Sequence, residues 1–270
     1  MLGLLSAPLS SAAQSKLYLD LRAGINRNDA EGAYFGKGDP PFKAYSPLAS
    51  VSFDVQAATM LRLQIRETFG IAAGYSGSAL AWSYSIKVPK DQTLNPFYPD
   101  RWGTGSSLYL HQFPLLLSKT FREYHFWEID TVRHVHRVSI RLDAVFGGGL
   151  QVLGNSRPDS EYSGSGGQYD IIEFKASPVL RRQRGQFLTG GVTARFYHLG
   201  KERLNLSLYY TQGLTDMLLV PVEYRYNTQR GATTLHVRGS GFSATLGLPL
   251  RLATFRRREP VAPLLNSKEN

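Results

Sequence analysis

The 270-residue chain has no cysteine, only three methionines and three tryptophans, and few charges, since 19% of its residues are Asp, Glu, Lys or Arg. The absence of cysteine excludes disulfides, thiol chemistry and cysteine-based metal sites, and it leaves the redox compartment undecided. Long hydrophobic runs are also missing. None approaches the ~18 consecutive apolar residues of a membrane-spanning helix, so this chain could cross a membrane only with β-strands.

Acidic residues are fewer than basic ones, 21 against 31, which gives a formal net charge of +10. A basic patch can mark a nucleic-acid-binding protein. The basic residues here are scattered, apart from "RRQR" at Arg181 to Arg184 and "RRR" at Arg256 to Arg258. Such short runs are typical of solvated loops and tails. We therefore expect no nucleic-acid partner, and anionic membrane head groups fit the charge better.

A two-residue alternation runs through most of the chain. In "KLYLDLRAGIN" the odd residues, such as Leu19 and Leu21, fall on one face of an extended chain, and polar residues such as Asp20 and Arg22 fall on the other. From residue 49 to 65 every odd position is apolar or Thr. This period predicts β-strands. Eight are predicted, at about 16–26, 48–64, 68–87, 106–120, 137–153, 186–198, 203–215 and 233–253.

Two of these strands are irregular. Beyond Gly77 the apolar row moves to even positions, from Leu80 to Trp82 and onward, which predicts a one-residue bulge. The stretch Ser107 to Phe121 is apolar on both sides in its middle, so its faces stay unassigned.

The predicted links alternate in length. The first, third, fifth and seventh are long, the second and the sixth ("LGKER") are tight, and the fourth ("REYHFWEIDTVRHVH") is intermediate. Long loops at one rim and short turns at the other are typical of outer-membrane barrels. In such a barrel the leucine rows face lipid, and charges of both signs in the polar rows can pair inside a narrow lumen. Aromatic side chains expected in the interfacial girdle are Trp82, Tyr84, Tyr210 and Phe242.

The phrases "LYLDLRAGIN", "SLYLHQFPLLLSKTF", "RLDAVFGGGLQVLG", "LNLSLYYTQGLTD" and "FSATLGLPLRL" together resemble the eight-stranded outer-membrane β-barrel domains of the OmpX/OmpA type, particularly the PorT-like group. The likeness extends from about Lys16 to Thr254. It implies a bacterial outer-membrane location, assembly by the barrel-insertion machinery, often no known activity, and a part in protein secretion. One departure is the end of the chain, because such barrels usually end on an aromatic residue, whereas about 16 residues follow the last strand here.

The expected fold is therefore an all-β, antiparallel up-and-down transmembrane β-barrel of eight strands, or ten if "LLVPVEYRYN" pairs with its neighbours. Residues 1–14 read as a signal-peptide remnant, with Ser11 and Ala13 in the spacing of a signal-peptidase site. Residues 15–254 form the outer-membrane β-barrel, and residues 255–270 form a basic C-terminal tail.

Candidate chemistry is sparse. His134 and His136 lie on one side of an extended chain but lack a third metal ligand of obvious spacing. His111 and Ser118 share a strand but are too far apart along it to touch. "FGGGL" (146–150) lacks the lysine and helix of a phosphate loop, and glycine in a barrel strand more often permits bending or close packing. We predict no catalytic, cofactor-binding or metal-binding residues.

The expected role is structural or surface-interacting: a barrel whose partners are outer-membrane lipid, the barrel assembly machinery and an extracellular or secretion partner that binds the loops. Two alternatives stay open. One is a barrel-embedded enzyme that modifies lipid. The other is a soluble lipocalin-like barrel, whose leucine rows would turn inward around a small ligand.

Overall fold

The structure is a computed structural model, and it describes residues 14–31, 43–45, 54–65, 68–80, 83–87, 100–104, 108–129, 135–154, 162–166, 172–226 and 229–256. The predicted signal-peptide remnant, except Gln14, and the tail beyond Arg256 lie outside these ranges.

All regular structure in the described residues is β-strand. The strands are β1 (Gln14–Glu31), β2 (Lys43–Tyr45), β3 (Asp54–Ile65), β4 (Phe69–Leu80), β5 (Ser83–Lys87), β6 (Asp100–Thr104), β7 (Leu108–Ile129), β8 (Val135–Leu153), β9 (Tyr162–Gly166), β10 (Ile172–Ala176), β11 (Val179–Leu180), β12 (Arg184–His198), β13 (Lys201–Gly213), β14 (Leu218–Tyr226) and β15 (Gln229–Arg256). Within the described ranges, no helix has the length and hydropathy needed to cross a bilayer.

Eight of these strands close into a barrel. Each pairs antiparallel with the next in the order β1, β3, β4, β7, β8, β12, β13 and β15, and β15 pairs back with β1 from Arg256 to His236. The predicted eight-stranded antiparallel barrel is confirmed. The "LLVPVEYRYN" segment does form a strand, β14, but it pairs with β10, β11 and the first part of β15 rather than entering the ring. The ring therefore has eight strands, not ten.

The two-residue alternation of the sequence determines which side chains face the lumen and which face outward. Along β1, Tyr18, Asp20 and Arg22 are buried and point into the lumen, whereas Leu21 and Ile25 are exposed on the outside. The same alternation orients β3, β12 and β13. The leucine rows therefore form the outer wall. A soluble barrel would place them in its interior, so the lipocalin-like alternative is wrong.

Two strand predictions need correction. No bulge lies between Gly77 and Leu80, because β4 keeps one register with β3 up to Ser78 and with β7 up to Leu80, and Leu80 is buried in the interior rather than exposed on the outer row. Residues 81 and 82 lie outside the described residues. The strand β7 continues to Ile129, well past the predicted end at 120, so most of the fourth link is strand and only 130–134 separate β7 from β8. The faces of β7 are now assigned: Leu108, Leu110 and Leu116 point inward, and Leu115 and Leu117 point outward.

The two rims differ as the link lengths predicted. At one rim, Leu199 and Gly200 both have positive φ, 51° and 72°, and join β12 to β13 in a two-residue turn. Positive φ at both central positions suits the twist of a hairpin. At the other rim, the long links contain the additional strands: β2, β5 and β6 form a separate three-stranded sheet, and β9, β10, β11 and β14 extend the barrel sheet beyond β15.

The glycines of "FGGGL" allow β8 to pack closely against β7. A Cβ at Gly147 would lie 2.1 Å from the Leu115 carbonyl oxygen, and one at Gly149 would lie 2.1 Å from that of Phe113. Both atoms belong to the backbone of β7, so only glycine permits this approach of β8 to β7. The structural interpretation of this motif therefore accounts for it, and no phosphate loop is formed, because Gly147 to Gly149 lie inside β8.

Candidate functional site

The lumen near the short-turn rim is filled by ion pairs around Arg62. Its guanidinium donates to both carboxylate oxygens of Asp20, at 2.9 and 3.2 Å, and to both of Glu202, at 2.8 Å each. It also lies 4.2 Å from the ring centroid of Tyr18. Arg22 donates to Asp20 at 3.2 Å and to the Tyr209 hydroxyl at 2.9 Å. Each of these buried charges thus has an opposite partner, whose attraction offsets part of the desolvation penalty.

A second group of charges surrounds Arg195. This side chain pairs with Asp143 at 2.7 Å and donates to the Gln64 amide oxygen at 2.5 Å. The same Gln64 oxygen accepts a hydrogen bond from Arg62 at 3.1 Å, so it joins the two groups. Thr120 of β7 also donates a hydrogen bond of 2.7 Å to the Asp143 carboxylate. We name this network the lumen charge network: Asp20, Arg22, Arg62, Gln64, Asp143, Arg195 and Glu202.

The lumen charge network is electrically balanced, because three arginines oppose two aspartates and one glutamate. The sequence predicted that charges of both signs in the polar rows can pair in the lumen, but it did not predict which of them meet. Asp20 pairs with Arg22 within β1, whereas Arg62 binds Asp20 and Glu202, and Asp143 binds Arg195, across strands. Glu202 was missed altogether, since it lies in the "LGKER" segment that was predicted as a turn. A register shift next to Tyr197 turns it inward.

Apolar side chains close the lumen above the charges. Met60, Ala72, Leu116 and Val145 form a buried cluster against Tyr209. The space left between this cluster and the lumen charge network measures about 10 Å³, which is roughly the room for one water molecule. At this level the described side chains fill the barrel. Small barrels of eight strands are expected to be filled in this way.

The long-link rim is closed by a bend of β15 across the barrel mouth. Gly239, with a φ of 75°, turns the strand, and the Arg238 carbonyl oxygen accepts a hydrogen bond from Gln151 of β8 at 2.7 Å. A Cβ at Gly239 would lie 3.1 Å from Leu110 of β7, which is across the ring from β15. Buried apolar side chains collect at this end: Leu80, Leu108, Leu110, Leu153, Met217, Leu218, Val220, Val222, Leu235 and Val237. The sequence did not reveal this apolar cap.

A polar cluster lies on the other side of the bent segment. Asp216 accepts hydrogen bonds from Arg238 at 2.5 Å and Arg181 at 3.0 Å, and the His236 ring nitrogen lies 3.1 Å from it. The hydrogen bond from Arg238, more than any other contact, holds the pKa of Asp216 below its ordinary value. Arg181 belongs to the predicted "RRQR" run. The run therefore has a structural contact and is not simply a solvated loop.

The Asp216 cluster predicts a pH-dependent stability. Since the pKa of Asp216 is lowered from 3.8 in the folded protein, its contribution is complete above about pH 4 and is lost as pH falls through the lowered pKa. The thermal midpoint of Asp216→Asn should therefore lie below that of the wild type at pH 6, and the two should converge toward pH 2. Circular dichroism in detergent measures both. An equal difference at every pH would contradict this assignment.

The outer wall is apolar over the whole ring. Large exposed side chains include Leu61, Leu115, Leu150, Val192, Leu208, Leu246 and Leu248, with aromatic residues such as Tyr109, Phe113, Tyr210 and Phe242. The rings of Tyr210 and Phe242 pack with centroids 4.8 Å apart. Trp82 lies outside the described residues, and the side chain of Tyr84 is not among those described. Tyr210 and Phe242 thus face outward, as expected for the girdle.

The sequence-based catalytic candidates do not come together. Ser118 points into the lumen, where its hydroxyl lies 3.4 Å from the Gly70 carbonyl oxygen and 3.3 Å from Arg195. His111 points outward, and its Nδ1 lies 2.7 Å from the Tyr75 hydroxyl. His136 is in β8, and His134 lies outside the described residues. In the part of the chain that the structure describes, no three His, Cys, Asp or Glu side chains are grouped to hold a metal ion.

A closed antiparallel ring with an apolar exterior and an ion-paired interior defines the class of transmembrane β-barrels. No protein-family model matches the chain, and no curated protein matches it either. Among solved structures, the chain is similar to the outer membrane protein AlkL, determined by solid-state NMR in DMPC lipid bilayers. The match has 12% sequence identity and a TM-score of 0.31, and it covers 97% of this chain and 99% of that one.

Proposed function

We propose that this protein is an outer-membrane β-barrel that serves as a closed membrane anchor for an external interaction surface. The observation that carries the proposal is the filled lumen: the lumen charge network, the apolar cluster above it and the bent β15 together block the bore. A barrel closed at three levels is suited to anchoring rather than to conduction. The surface it presents is the sheet formed by β9, β10, β14 and β15 at the long-link rim.

Several finer features belong to the same proposal. The barrel is inserted by the barrel assembly machinery, and its external surface binds an extracellular or secretion partner rather than a nucleic acid. The PorT-like resemblance supports a secretion role by analogy alone, because fold does not determine function. The proposal includes no catalysis. The separation of Ser118 and His111 onto opposite faces of β7 supports this, since a nucleophile and its base must be within hydrogen-bonding reach.

Location and fold are tested by one experiment. Outer-membrane fractions from cells that express the full chain should contain the protein, and its gel mobility should change when the sample is boiled. Recovery in the soluble fraction, or a mobility that boiling leaves unchanged, would contradict the membrane-barrel part of the proposal.

Closure of the lumen is tested by conductance. We expect the purified wild-type protein in planar lipid bilayers to give no steady ion current, because side chains fill the bore at three levels. A porin with an open channel is the positive control in the same bilayers. A reproducible steady conductance of the wild-type barrel would contradict the anchor role and favour a pore.

A further inference from the structure

An open apolar groove lies on the outer wall at the strands β12, β13, β15 and β1. It has a volume of about 590 Å³, within the ~300–1,000 Å³ range of small-molecule sites. Gly190, Val192, Leu208 and Phe242 line it, with Ile25 on β1. A Cβ at Gly190 would meet nothing closer than 3.8 Å, so the missing side chain at this outward position contributes to the open space of the groove.

The groove continues toward the short-turn rim. A second depression shares Ile25 with it and is lined by small side chains of β1 and β3, Ala23, Ala57 and Thr59, and by Leu246 and Leu248 of β15. From Phe242 to Leu248 the wall extends six residues, or about 20 Å at ~3.3 Å per residue. Half of a bilayer's ~30 Å hydrocarbon core is about 15 Å. The two depressions are therefore long enough for an acyl chain of one leaflet.

The two ends of the groove differ in polarity. Arg27 lines its end toward the long-link rim, where it is paired across strands with Phe242, while the other outward residues of β1 that line the groove are Leu21, Ala23 and Ile25. The Tyr210 hydroxyl faces the same end and donates to Gln212 at 2.8 Å. An arginine on the lipid face of a barrel is costly at mid-membrane but nearly free at the interface. Arg27 thus marks the level of the head groups.

We propose that this groove binds an anionic lipid of the leaflet on the long-link side, with an acyl chain along Gly190, Val192 and Leu248 and a phosphate head group at Arg27. Charge complementarity selects an anionic head group, since basic side chains at a membrane surface attract one. The length of the apolar groove favours a lipid over free phosphate, because only a lipid has an acyl chain to occupy it. The inference rests on the proposed outer-membrane location.

The test compares lipids and variants by native mass spectrometry of the full chain released from detergent micelles. The probes are phosphatidylglycerol and phosphatidylcholine with identical acyl chains. Wild-type protein should retain phosphatidylglycerol about fivefold over phosphatidylcholine, as one basic residue at a charged surface provides. An excess of inorganic phosphate should not displace it.

Two variants separate the parts of the site. Gly190→Leu fills the groove from outside without touching the lumen, and it should lower retention of both lipids. Arg27→Gln should reduce the preference to about one while leaving retention of phosphatidylcholine unchanged. The matched control is Ala73→Leu, which adds the same side chain on the exposed face of β4, across the ring from β13. It should behave like the wild type.

The outcomes are separable from those of the proposed function. A wild-type protein without a heat-dependent gel shift contradicts the membrane barrel itself. If every variant shows that shift, equal retention of the two lipids by the wild type, an unaltered preference in Arg27→Gln or unaltered retention in Gly190→Leu overturns the lipid site alone. Displacement by inorganic phosphate would also overturn it, because it would make the site one for free anions.

Discussion

Replacement of Arg62 by Met is expected to destabilise the barrel by about 3–5 kcal/mol, because it leaves buried carboxylates without their main cation. Arg62 is 1% exposed and contacts both Asp20 and Glu202. After the substitution Asp20 keeps Arg22, whereas Glu202 keeps, among the described residues, only the weak hydrogen bond of 3.4 Å from the Tyr197 hydroxyl. Most of the lost stability therefore comes from the Glu202 carboxylate, which is left buried without the Arg62 cation. Urea titration of the folded fraction in lipid vesicles, followed by the gel-mobility shift, measures it.

The double variant Arg62→Met/Glu202→Gln is the control. It removes one charge of each sign, so the network of three cations and three anions becomes one of two and two. We expect it to recover most of the lost stability, since a buried pair replaced by neutral groups of similar size is often nearly neutral. If the double variant were as unstable as Arg62→Met, the loss would come from packing rather than from charge. An Arg62→Met protein of wild-type stability would refute the network's role.

The sequence predicted which side chains face outward and which face the lumen better than it predicted the contacts between the lumen side chains. Alternation assigns each residue to a face, so Asp20, Arg62 and Arg195 could be placed in the lumen without coordinates. It does not say which lumen residues meet, because that depends on the register between strands and on the reach of long side chains. Arg62 lies opposite Tyr18 in register, yet its guanidinium reaches the Asp20 carboxylate two residues further along β1. The partner of each lumen charge could not be predicted from the sequence for this reason.

The long-link rim was mispredicted for a related reason. An apolar residue in a membrane barrel was expected to face lipid, so Leu80 was assigned to the outer row and a bulge was needed to bring it there. In the structure Leu80 keeps its inward register and is buried with Leu108. Apolar residues are favourable inside as well, wherever a cap excludes water. That cap depends on Gly239 and on the bend of β15, which two-residue periodicity cannot reveal.

Replacement of Leu246 by Arg should destabilise the barrel by about 2–4 kcal/mol, the cost of an arginine on the lipid face near the bilayer midplane. Leu246 is exposed on the outer wall and lies opposite Leu206 of β13 and Ala23 of β1, between Phe242 and Leu252 on β15. The same replacement at Leu252, which is exposed near the end of β15, should cost only about 0–1 kcal/mol, because the interface tolerates the charge. Urea titration in lipid vesicles measures both variants. If the leucine rows faced water, Leu246→Arg would be harmless, and if they faced a protein core, Leu252→Arg would cost as much as Leu246→Arg. Only a hydrocarbon solvent around the wall makes the penalty depend on depth.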